Sequence, residues 1–385
     1  MHSSARSGDV LCGTDVLKRD GYKQLAGKRV VLVTNQTGHD REGNRLPDLL
    51  HEAPNVKLVR LLAPEHGLYG TQDEKIKDVT DPSTKLSVLS IYGETRKPTT
   101  QMVQDVDAIV YDLQDVGARF YTVSATLGLC LEAAAEHHIQ LIVLDRPCPI
   151  TGNIVDGPIA DKDKLGFTAY GSIPVAHGMT MGELARYFNS EYKIGADLVV
   201  VPVEGWTRDM WWDGTGLLWG NSSPNMRNTT AALLYTGICL LEASNVSVGR
   251  GTNQPFEFFG APWMDGRQLA PALNRLNLPG VRFVPIEFTP TGNKVKLEGK
   301  KCGGCYVIVT DRQKIQPVKM GVAIIWQVRK MYGNQFEFDK VDRLLKNDQA
   351  MKAIESASDP KTIPDVWQKD LAAFNKARQK YLLYR

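Results

Sequence analysis

Residues 108–144 read AIVYDLQDVGARFYTVSATLGLCLEAAAEHHIQLIVL: an apolar run, a polar turn, a helical stretch and a second apolar run. The runs AIVY (108–111) and LIVL (141–144) carry no polar interruption, which suits strands covered on both faces. Between them, TVSATLGLCLEAAAEHH (122–138) has the length and composition of a helix. Strand, helix and strand in that order make the unit of a parallel sheet.

Working outward, the same unit recurs. Apolar runs stand at 28–33 (KRVVLV), 56–62 (VKLVRLL), 86–91 and 198–203 (LVVVPV). A helix is predicted over 180–192, where Thr180 followed by Glu183 forms a capping box. The alternation predicts an α/β fold with a Rossmann-like, doubly wound, mostly parallel sheet. Beyond about residue 225 the texture changes. Pro224 precedes an apolar helix at 229–243, a Gly/Pro-rich stretch covers 248–266, and strand-like runs occupy 281–288 and 305–310. A helix at 319–332 and charged helical segments at 341–356 and 364–384 follow. The expectation is a Rossmann-like domain over 1–225 carrying the catalytic rim and a smaller α+β domain over 226–385 completing a cleft.

Composition narrows the function classes. The chain has 385 residues, 43% hydrophobic and 23% charged, enough to bury sizeable cores. Its 46 Lys+Arg against 43 Asp+Glu leave a net charge of +3 without a basic arm, which argues against a nucleic-acid binder. No stretch approaches the roughly 20 apolar residues of a membrane span. Six cysteines are too sparse for a disulfide framework, and the single Cys302-Gly-Gly-Cys305 lacks the partners of a zinc site. Neither GxGxxG after the first strand nor GxxxxGK[ST] occurs, so nucleotide readings lose most of their support. The segment MHSSARSGDV has no apolar signal-peptide core. A trimmed exported protein would look the same, so the residues leave the compartment open between the periplasm, the cell exterior and the cytoplasm. Nothing in the sequence points to an oligomeric state.

In open α/β sheets ligands bind beyond the carboxyl ends of the strands. The polar residues there are Asn35, then Glu65 and His66, Asp112 and Asp115, Asp145 and Arg146, and Glu204. Parallel strands should bring them to one rim. Glu65 stands out, because Pro64 before it and Gly67 after it place Glu65-His66 on a tight, exposed bend. A carboxyl partly screened from water there suits a general acid; the structural alternative is that Glu65 caps the next segment. Farther on, Arg119 has the planar fork that fits a carboxylate or phosphate, and Tyr121-Thr122 open a helix whose free N–H groups favour an anion. An Asp115–Arg119 surface pair is the plainer reading. Residues 245–263 (NVSVGRGTNQPFEFFGAPW) interleave Arg250, Asn253 and Glu257 with aromatics, as a sugar-binding loop would, although most of those rings suit a core. Trp206, Trp211, Trp212 and Trp219 suit either the cleft or the interdomain seam.

The stretches VLVTNQTG (31–38), APEHG (63–67), DLQDVGARFYT (112–122), VLDRP (143–147), PVEGW (202–206) and SVGRGTNQPFEFFGAPW (247–263) resemble a bacterial family. It is DUF1343, associated with NamZ-type exo-β-N-acetylmuramidases of glycoside hydrolase family 171. The resemblance implies a Rossmann-like domain joined to a smaller one, and cofactor-free release of N-acetylmuramic acid from the non-reducing ends of peptidoglycan fragments. It also implies that Glu65, in the PEHG motif, is catalytic. Asp115, then Glu204 and Glu257, are candidates for a second carboxylate, and the substrate's acetamido group is a third route. Carboxylates about 5–5.5 Å apart would retain configuration and about 6.5–9.5 Å apart would invert it. A site selective for muramic acid needs a cation for its lactyl carboxylate, and Arg119 and Arg250 are the candidates. Competing classes are a non-catalytic sugar-binding protein and an α/β amidase or esterase, the latter disfavoured because no G-x-S-x-G elbow occurs.

Overall fold

The computed structural model describes residues 9–70 and 79–385, and the segment read for an export signal lies mostly outside them. The strands are β1 (Arg29–Thr34), β2 (Lys57–Ala63), β3 (Val79–Thr80), β4 (Ser87–Ser90), β5 (Ala108–Asp112), β6 (Gln140–Leu144), β7 (Asp156–Ile159), β8 (Pro174–Ala176), β9 (Asp197–Val201), β10 (Phe258–Ala261), β11 (Val281–Phe288) and β12 (Cys302–Val309). Among the described residues they form a seven-stranded sheet ordered β3-β4-β2-β1-β5-β6-β9, a three-stranded sheet ordered β10-β12-β11, and the pair β7-β8. In the large sheet every pairing is parallel except β3 on β4. The order reverses between β1 and β5, as in a doubly wound nucleotide fold. The small sheet is antiparallel.

The pleat explains why the apolar runs lack alternation. Val31, Val33, Ile109 and Tyr111 enter one core, whereas Val30, Leu32, Ala108 and Val110 enter the other. The first of these cores continues through Leu234 and Ile238 to Ile324 and Val328, so both domains share apolar packing. The helices Thr229–Ile238 and Pro317–Tyr332 cross at two glycines. A Cβ on Gly237 would lie 2.0 Å from Pro317 O, and one on Gly321 would lie 2.5 Å from Gly237 O. The Cys302-Gly-Gly-Cys305 spacing has a similar cause. Both thiols are buried in β12, and a Cβ on Gly304 would meet Phe259 O at 2.0 Å, so the glycines let neighbouring backbones approach.

The capping box forms as read: Glu183 N donates to Thr180 Oγ1 at 3.3 Å and Thr180 N donates to Glu183 Oε2 at 3.0 Å. Other boundaries move. The apolar helix ends at Ile238 and tightens into a 3₁₀ turn over Cys239–Leu241. The charged segment 341–356 breaks into Asp342–Leu345 and Asp348–Ser356, because Lys346 turns left-handed (φ 51°) and Asn347 caps the next helix. The Gly/Pro-rich stretch contains the strand β10. The final elements run back onto the first domain, where Tyr384 Oη donates to Asp145 Oδ2 at 2.5 Å and Leu383 N to Glu183 Oε1 at 2.9 Å. Among the described residues no helix is long and apolar enough to cross a membrane.

Candidate active site

At the carboxyl edge of the sheet the polar residues do converge, but many of them engage one another. Asp112 is fully buried between Arg146, whose Nε and Nη2 donate to its two oxygens, and Thr14, whose hydroxyl donates to Oδ2 at 2.8 Å. The chain entering the fold lies along this edge: Leu11 pairs with Glu204, and Gly13 N donates to Asp145 O at 2.7 Å. Polypeptide thus covers the strand ends at β5, β6 and β9.

An open cavity lies at the end of β2, a cleft of about 420 Å³ between the two domains. Its first wall carries Glu65, His66, Phe120, Tyr121 and Thr122. Gly67 N donates to Pro64 O at 3.0 Å, closing the bend in which His66 (φ 70°) and Gly67 (φ 77°) are left-handed. That turn directs Glu65 towards Thr122, the N-cap of the helix Val123–Glu136, and Thr122 Oγ1 donates to Glu65 Oε2 at 2.6 Å. Tyr92, just beyond β4, stands beside Glu65; burial first, and the neighbouring carboxylate second, raise its phenol pKa above the usual range. Tyr121 is raised likewise by burial.

The second wall comes from the other domain. Tyr235, Cys239, Glu242 and Ala243 line it from the apolar helix and its 3₁₀ extension. Tyr235 meets Phe120, Tyr121 and Phe256 edge-on at 5.3, 5.7 and 4.7 Å. Phe256 holds φ 65°, an unusual conformation for a bulky residue, fixed by its N–H donating to Val248 O at 2.7 Å. Arg250 lies 5.2 Å above the Phe256 ring and pairs with Glu242, Nε to Oε1 at 2.5 Å and Nη2 to Oε2 at 3.2 Å. Arg343 and Leu344 complete the rim.

Of the residues selected from sequence, Glu65, His66, Tyr121 and Arg250 meet at this cleft, and the others lie elsewhere. Asp115 is buried, accepting from Gly117 N at 2.5 Å and lying 3.3 Å from His177 Nε2, so it braces the loop after β5. Asn35 closes its own turn by accepting from Thr37 N and Oγ1. Asp145 is fully buried and accepts from Thr180, Gly182, Arg146 and Tyr384; burial pushes its pKa up to about 6 despite those donors. Arg119 is buried too, with its guanidinium committed to four carbonyls, those of Pro158, Ile173, Leu344 and Leu345, and therefore closed to an anion. Glu204 sits on the surface in a two-point pair with Arg19, whose hydrogen bond lowers its pKa. Glu257 accepts from Asn228 at 3.0 Å and steadies the start of the apolar helix. Asn253 is exposed on its loop. Trp206 packs edge-on against Tyr384 and Trp212 against Trp219, away from the cleft.

Sequence reasoning missed Tyr92, Tyr235, Glu242 and Arg343. Their signals are single residues on otherwise ordinary helices and loops; the pairing of β2 with β4 brings Tyr92 to Glu65, and the domain pairing brings the other three.

Two family models cover nearly the whole chain: exo-beta-N-acetylmuramidase NamZ, N-terminal, over residues 30–230, and its C-terminal counterpart over 233–384. The peptidoglycan beta-N-acetylmuramidase NamZ of Bacillus subtilis (strain 168) is 40% identical across 100% of this chain and 93% of that protein. A crystal structure of a DUF1343 family protein from Bacteroides fragilis NCTC 9343 superposes with TM-score 0.91 at 36% identity, covering 99% of this chain and 100% of that one. A second DUF1343 protein of that organism gives 0.80 at 29% identity, covering 98% and 99%. With an interdomain cleft built around the glutamate of a PEHG turn, this chain belongs to the NamZ family of exo-β-N-acetylmuramidases.

Proposed function

We infer that this chain is a glycoside hydrolase that releases N-acetylmuramic acid from the non-reducing ends of peptidoglycan fragments, with Glu65 as the general acid. Family membership supports the activity. The observation that carries the acid assignment is the placement of Glu65 on the cleft wall, its carboxyl engaged by Thr122. A carboxyl at a sugar pocket can protonate the departing glycosidic oxygen as oxocarbenium character develops. Thr122 fixes its direction, and the rings of Tyr121, Tyr235 and Phe256 offer apolar faces to the sugar's C–H surface.

The partner of Glu65 is not Asp115, which braces its own loop outside the lining. Among the described residues Glu242 is the second carboxylate of the lining, and Arg250 holds it in an ion pair. That pairing favours the substrate's acetamido oxygen as the internal nucleophile, displacing the leaving group while Glu65 protonates it. Chromogenic N-acetyl-β-muramide is the test. Turnover that collapses in Glu65→Gln, and that falls steeply when the acetyl group is trifluorinated, supports both parts. Near-native turnover by Glu65→Gln removes the acid role, and indifference to fluorination removes acetamido participation. Saturable binding without turnover would instead mark a sugar-binding protein.

A further inference from the structure

We propose that Arg343 reads the lactyl carboxylate of the terminal muramic acid residue, and that Arg119 is the buried bracket that holds Arg343 at the cleft. The proposal rests on the muramidase reading. Muramic acid differs from glucosamine by a lactyl ether that is anionic at neutral pH, so a pocket selecting it by charge needs a cation that is not already neutralised.

Two arginines line the cleft, and their situations differ. Arg250 faces Glu242 with Nε and Nη2 and lies over Phe256, so its charge has a partner. Arg343 is exposed at the rim, and among the described residues its guanidinium has no acceptor. A planar fork left to water at the mouth of a sugar pocket matches a carboxylate in two-point geometry.

Its position is built. Arg343 belongs to the four-residue helix Asp342–Leu345, too short to persist by itself. Arg119 Nη2 donates to Leu344 O at 2.9 Å and Leu345 O at 2.7 Å, at the end of that helix. Lys164 Nζ donates to Asp342 Oδ2 at 2.7 Å, and Lys346 Nζ donates back to Lys164 O at 2.6 Å. Arg119 immediately precedes Phe120-Tyr121-Thr122 of the opposite wall, and its Nη1 donates to Pro158 O and Ile173 O at 2.9 Å. One buried guanidinium thus fixes the distance between the wall that carries the acid's partner Thr122 and the rim that carries Arg343.

The experiment compares chromogenic N-acetyl-β-muramide with its lactyl methylamide, which keeps the shape and removes the charge. Free N-acetylmuramic acid and its lactyl amide serve as competing inhibitors. Arg343→Met should lower kcat/KM on the acid on the order of 10- to 100-fold, mainly through KM, and weaken inhibition by N-acetylmuramic acid to match. The acid-to-amide preference should fall by the same factor, and Arg343→Lys should restore part of it. An unchanged preference in Arg343→Met overturns the assignment, whereas wild-type protein that cleaves no muramide overturns the muramidase reading and this proposal with it. For the bracket, folded Arg119→Lys should raise KM for the acid more than for the amide. Should that variant not fold, Lys164→Met loosens the same short helix and carries the same readout. Equal KM changes for acid and amide would show Arg119 to be scaffold only.

Discussion

Thr122 Oγ1 donates to Glu65 Oε2 at 2.6 Å, joining the turn after β2 to the N-cap of a helix that begins after β5. An N-cap side chain ordinarily accepts from its own helix. Here the hydroxyl's proton is directed to another element, and no side-chain cap bond to the helix forms. The residue serves the glutamate.

Replacing Glu65 by Gln should therefore leave the fold intact and lower kcat on the order of 10²- to 10⁴-fold, the usual contribution of a positioned acid. Steady-state kinetics on the chromogenic muramide, with circular dichroism as the fold control, checks this.

Thr122→Val removes the hydroxyl that donates to Glu65, and Tyr92→Phe removes the phenol hydroxyl beside it. Each should cost about 1 kcal/mol of orientation, roughly a fivefold loss in kcat, with KM little changed. Because both hydroxyls act on one carboxylate, the double variant should depart from additivity. Two independent losses that simply multiply would separate the hydroxyls from Glu65.

Gly237→Ala should destabilise by about 1–3 kcal/mol, since its methyl would press on Pro317 O in an overpacked crossing. Denaturant titration reads the loss. A variant as stable as the parent would mean that the two helices separate freely at this point.

Asp81 supplies the pH prediction. Burial alone would raise it, but hydrogen bonds from Tyr69, Thr84 and Arg45 outweigh that and hold it at about 2, below the ordinary aspartate value of 3.8. With the folded pKa depressed, its contribution is fully present above about pH 4 and is lost as pH falls from there towards 2. Asp81→Asn should lower stability at neutral pH and flatten the acid decline in that window, measured by urea titration between pH 2.5 and 6. An unchanged acid slope would reject the assignment.

Periodicity made the sheet legible because Val31, Leu32, Ile109 and Val110 lie between two cores, and residues buried on both faces must all be apolar. Glu65 was legible because Pro64 and Gly67 dictate a local turn, and local turns are written locally. Asp145 and Arg119 misled for a shared reason. A strand-end aspartate or a loop arginine looks the same in sequence whether it meets ligand or protein, and their partners Tyr384, Leu344 and Leu345 lie more than 200 positions away. Arg343 carried no signal because its meaning comes from the bracket beneath it.

The contact between Tyr384 and Asp145 also imposes an order on synthesis. The two residues are 239 positions apart, so a nascent chain emerging from the ribosome holds that carboxylate short of one donor until Tyr384 has been made. The earlier-made domain should stay loosened, open to proteases and holdases, and lock only when the strap carrying Leu383 and Tyr384 arrives.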